Sequence, residues 1–66
     1  MGALYDLRMA IEKKIKADGL DDVSIRGQIA LRSGRLLSLI GPNAPDDPAV
    51  IAKIKIAAKE VLHADL

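Results

Sequence analysis

The stretch "IRGQIALRSGRLLSLIGPN", residues 25–43, decides how this chain folds. Read as one helix, it puts Ile25, Ile29, Leu36, Leu37 and Ile40 on a common arc at about 100° per residue, with Ala30 at its edge. Ser24 is a residue type that caps helix starts, and Gly41-Pro42 cannot continue a helix, so this reading predicts a helix over about 24–40. Two glycines inside that span, Gly27 and Gly34, stand one heptad apart. Each costs roughly 1 kcal/mol against alanine in a helix interior, so their presence needs a reason.

In a continuous helix Gly27, Leu31, Gly34 and Ser38 form a second column, about a quarter to a third of a turn from the inward arc. Such a column suits the close approach of another backbone. Three arrangements satisfy it: the first helix fills the groove through its alanine stripe, a second copy of the chain fills it, or Gly34 kinks the helix.

Working outward, "DGLDD" (18–22) and "GPNAPDDP" (41–48) hold all three prolines and two of the five glycines, and both read as loops. The segment before them predicts a helix over about 3–17, with Leu4, Leu7, Ile11 and Ile15 on one stripe and Ala3, Ala10 and Ala17 beside it. Gly19 is placed to stop it, and Lys13, Lys14 and Lys16 suit the negative end of its dipole. The last segment predicts a helix over about 48–63, with Asp47 as N-cap and Pro48 at the first helical position. Its apolar arc is Val50, Ile51, Ile54, Ala57, Ala58, Val61 and Leu62. The expected fold is a single all-α domain over 1–66, a small three-helix bundle running up-down-up.

Composition narrows the function more than it identifies it. A chain of 66 residues buries only about 60% of its unfolded surface, which makes it marginal unless something helps. It has no cysteine and one aromatic residue, so the core must be aliphatic and held without disulfides. Half the residues are hydrophobic and the mean hydropathy is +0.17, which argues against a disordered tail. Charges interrupt every apolar run, so neither a membrane span nor a secretory leader is expected, and the cytoplasm is the default location. A net charge of +1 exerts no global pull on nucleic acid or anionic lipid.

No catalytic or cofactor site is expected. His63 is the lone histidine, and Ser24, Ser33 and Ser38 have no imidazole near them in sequence. The acid pairs Asp21-Asp22 and Asp46-Asp47 each precede a helix and are explained by capping and dipole compensation. Neither loop has the alternating carboxylates of a calcium site, and "GPNAPDDP" lacks the glycine spacing and lysine of a phosphate loop.

Several large apolar residues are left over once a three-helix core is filled. Tyr5 and Met9 fall on the solvent side of the first helix, Leu39 on the polar face of the second, and Ile56 opposite the core arc of the third. Aligned, they would form a patch, which points to protein–protein interaction or a homodimer. The contact residues expected are Gly27, Leu31, Gly34, Arg35 and Ser38, with Met9 and Ile56 in support.

The alternative is a small nucleic-acid-binding protein. Ala30, Gly34 and Ile40 have a spacing that resembles a helix-turn-helix at 26–43, and Arg26, Arg32 and Arg35 add three positive charges to a segment without acids. The rest of the window disagrees. Arg35 follows the turn glycine where an apolar residue is usual, Leu36 and Leu37 would face the groove, and Pro42 would break the reading helix.

Overall fold

The computed structural model describes residues 2–66. Three helices, α1 (Ala3–Ala17), α2 (Asp22–Ser33) and α3 (Pro48–Leu62), pack as an all-helical bundle, with a single 3₁₀ turn at Leu37–Leu39 between α2 and α3. The domain measures 29 × 20 × 19 Å. No helix among the described residues is long and apolar enough to cross a membrane.

In α1 the predicted stripe Leu4, Leu7, Ile11 and Ile15 is buried. The helix stops where glycine permits: Gly19 takes φ +61°, and the Leu20 N–H donates back to the Ile15 carbonyl at 3.0 Å. Its start is capped from far away. Gly2 has no side chain to offer the first turn, and Asp46 supplies one, its Oδ1 accepting from the Leu4 N–H at 3.1 Å. A Cβ on Gly2 would collide with that carboxylate, so the glycine makes room for its own substitute cap. Asp46 therefore serves α1, and only Asp47 of that acid pair caps the helix that follows it, accepting from the Ala49 N–H at 2.9 Å.

The second helix departs from expectation at both ends. It begins at Asp22, two residues before Ser24, because Asp21 is the N-cap and accepts from the Ser24 N–H at 3.4 Å. It ends at Ser33, and the continuous helix over 24–40 does not form. Gly34 adopts φ +71°, its N–H donating to the Ala30 carbonyl at 2.8 Å, which is a left-handed helix stop. The buried Ser33 hydroxyl reinforces the break by donating to the Ile29 carbonyl at 2.7 Å and accepting from the Arg35 N–H at 3.3 Å.

Beyond the break the side chains fall on different faces. Leu37 and Ile40 enter the core through the 3₁₀ turn, whereas Leu36, assigned inward in a continuous helix, is 56% exposed. The tighter turn puts residues three apart on one side, so 37 and 40 point in together and 36 and 39 do not.

α3 starts at Pro48 as predicted and ends at Leu62, with exposed His63 as a left-handed C-cap at φ 55°. α2 packs chiefly on α3 and α1 lies against both. Each helix contributes one fully buried isoleucine, Ile11, Ile29 and Ile54, and Leu4, Leu7, Leu37, Ile40 and Leu62 close the core around them.

Candidate interaction surface

The outer side of α2 is apolar where a solvated helix would be polar. Val23, Gly27 and Leu31 follow one another at four-residue intervals, and Val23 and Leu31 are 82% and 85% exposed. On α3, Ile56 is 60% exposed on the side away from the core arc. The C-terminal end of α2 brings these helices together. Leu31, Gly34, Lys53, Ile56, Ala57 and Glu60 line an open cleft of about 410 Å³ between them.

Three of the residues expected to make contacts, Leu31, Gly34 and Ile56, thus share one site. The others do not join it. Arg35 lines a separate cleft with Leu39, Leu4, Pro45 and Val50, because α2 ends at Ser33 and the chain leaves the helix through the left-handed Gly34. Ser38 is exposed in the 3₁₀ turn, and its carbonyl accepts from Arg8 at 3.4 Å. Met9 lies on α1 and is 37% exposed. Gly27 is open: nothing stands within 4 Å of where its Cβ would be, so α1 does not fill a groove there, and the alanine-stripe arrangement is overturned. α1 approaches α2 along a different edge, through Glu12 and Arg26.

That edge holds an ionic chain. Arg26 donates to Asp22 at 2.7 Å and to Glu12 at 2.5 Å, and Glu12 also accepts from Arg8 Nε at 3.2 Å. Arg8 in turn donates to the Ile40 carbonyl at 2.7 Å. One chain of contacts ties α1 to α2 and to the end of the 3₁₀ turn. The hydrogen bond from Arg26 holds the Glu12 carboxyl below its ordinary range, against a smaller opposing effect of burial, with Arg8 acting in the same direction as Arg26. The Glu12 bond likewise raises the Arg26 guanidinium above its ordinary value. Asp46 is also lowered, first by the Leu4 N–H and then by that of Ala3.

The three arginines of the alternative reading consequently diverge. Arg26 faces α1, Arg32 pairs with Glu60 of α3 at 3.4 Å, and Arg35 sits in the second cleft. The segment after Gly34 is a 3₁₀ turn of three residues, shorter than any reading helix.

Arg8 and Glu12 are residues that sequence reasoning passed over, and Asp46 is one that it assigned to the wrong helix. Arg8 and Glu12 carry a legible signal, an opposite-charge pair four residues apart on a helix. Asp46 carries none, since its partner lies 42 residues away. No protein-family model matches the chain, and no curated protein or solved structure is similar to it.

Proposed function

We propose that this domain is a non-catalytic protein–protein interaction module whose contact face is built by α2 and α3. The observation that carries this reading is the meeting of Leu31 and Ile56 across one cleft, both largely exposed, in a molecule whose core is already closed. Fully burying side chains of this size is worth about 1.5–3 kcal/mol each, so a partner that covers both gains affinity from little contact area. Lys53, Arg32 and Glu60 border the apolar pair and supply a polar rim, the usual anatomy of a contact site. We place its action in the cytoplasm, in keeping with an aliphatic core that needs no disulfide.

The nucleic-acid reading takes second place because Arg26 and Arg32 already have carboxylate partners. Titration with duplex DNA at low salt checks it, and no binding that falls steeply with salt is expected.

The test of the interaction reading is photocrosslinking in cells. A photoreactive side chain at position 31 should give a discrete adduct with another protein or with a second copy. The same group at exposed Lys16 on α1 should not. No adduct from position 31, or identical adducts from both positions, sinks the reading.

A further inference from the structure

Resting on that reading, we propose that the occupant of the outer α3 face is a second copy of this chain, bound with the two α3 helices antiparallel about a twofold axis beside Ile56. The argument is the charge pattern of one helical stripe. Lys53, Ile56 and Glu60 line the same cleft, with Lys53 three residues before the isoleucine and Glu60 four residues after it. Positions seven apart on a helix differ by only about 20° in direction and about 10 Å along the axis. A twofold axis crossing midway between them sets each Lys53 against Glu60 of the second copy, on the same side of the contact. Ile56 then covers Ile56 at the centre. A face with like charges at these positions would repel itself about that axis, whereas a lysine and a glutamate whose midpoint falls beside Ile56 put the apolar contact and both ion pairs in one register.

The monomer leaves this pattern unfulfilled. Lys53 makes no ion pair among the described residues. Glu60 binds Arg32 through one oxygen, Oε2 at 3.4 Å, and keeps the other for a lysine. Ala49 and Ala52 are exposed on α3 and too small to hold a second helix away. Leu31 stands at the edge of the contact, where the second copy shields it from water.

The size of the face sets the strength. A standard stable interface takes about 800 Å² from each partner. The whole molecule exposes 4263 Å², and α3, about 22 Å long at 15 residues, supplies well under that area. A face below the standard size belongs with weak, reversible contacts, so the dimer is expected to populate toward the upper end of a micromolar-to-millimolar range.

Sedimentation equilibrium of the full chain from about 10 µM to about 1 mM reads this range directly. Wild type should pass from monomer to dimer, and Ile56→Glu should weaken the dimer by at least roughly tenfold. Lys53→Glu and Glu60→Lys should each weaken it by roughly tenfold, since the twofold axis counts every like-charge clash twice. An equimolar mixture of those two variants should associate again. In the mixed dimer the introduced carboxylate of one chain faces the introduced ammonium of the other, and the unaltered Lys53 and Glu60 still meet. Circular dichroism melts of each variant confirm that the fold is retained, Ile56, Lys53 and Glu60 being exposed.

Recovery in the mixture is the decisive result. A wild type that stays monomeric at about 1 mM overturns the proposal. So does a dimer indifferent to these substitutions, or a mixture no better than its components. The photocrosslinking at position 31 is scored separately: an adduct with a different protein, beside a monomeric wild type, leaves the interaction reading standing while this inference falls.

Discussion

At Gly34 the backbone takes φ +71°, a conformation that side chains with a Cβ reach at a cost of about 1–2 kcal/mol. Seven residues earlier, Gly27 sits in a regular helical turn with open space where its Cβ would be. The same substitution should therefore act in opposite directions at the two sites. Gly34→Ala should destabilise the domain by about 1–2 kcal/mol through backbone strain. Gly27→Ala should stabilise it by about 0.5–1 kcal/mol by removing unfolded-state freedom. Urea denaturation of both variants measures this. Equal signs would mean that the helix does not end at Ser33.

Among the helices, the ends carry as much information as the middles. α2 and α3 are capped by the aspartate that precedes each, while α1 borrows Asp46 from the loop before α3. The Asp22–Arg26–Glu12–Arg8 chain then sets the position of α1 against α2 and the 3₁₀ turn. Because Glu12 and Asp46 are both lowered in the folded state, each contributes stability that is fully present above its unfolded value. That stability is lost as pH falls through the folded value. Glu12→Gln should cost about 1 kcal/mol at pH 7, and should flatten the loss of stability below about pH 4.5. Asp46 keeps some acid dependence in the variant. Denaturation midpoints across pH 2–7 check the slope, and an unchanged acid profile would show that Glu12 titrates alike in both states.

For the molecule as a whole, the stability of 66 residues is small, on the order of 3–10 kcal/mol. Its core turns on Ile11, Ile29 and Ile54, one from each helix and none accessible to solvent. Ile54→Ala should cost about 2–4 kcal/mol, a large part of that total. The thermal transition should drop sharply and remain a single step, because no helix here has a core of its own. A second transition would mean that α2 and α3 hold together without α1.

The number of helices, the extents of α1 and α3, the first loop and the buried stripes of α1 and α3 follow from residue order alone. Their causes are local: apolar residues at helical spacing, an aspartate before Pro48, and a glycine after Lys16. The cleft is legible only in part. Leu31, Gly34 and Ile56 stand out as unplaced residues on a helical wheel, but their meeting depends on how α2 lies on α3. The break at Gly34 escapes a reading of spacing because Leu36, Leu37 and Ile40 suit a continuous helix, whereas the positive φ of Gly34 and the Ser33 hydrogen bonds act against it. Short-range pattern thus determined that there are three helices, which faces of α1 and α3 turn inward and, through Gly19, Gly34 and the Ser33 hydroxyl, where α1 and α2 stop, although spacing alone carried the second helix too far. How α1 is capped at its start, which arginines are already paired, and which exposed residues share a surface depended on contacts such as Leu4 with Asp46 and Arg8 with Ile40, between groups far apart in the chain. No periodicity encodes such contacts, because each forms only after the helices have packed.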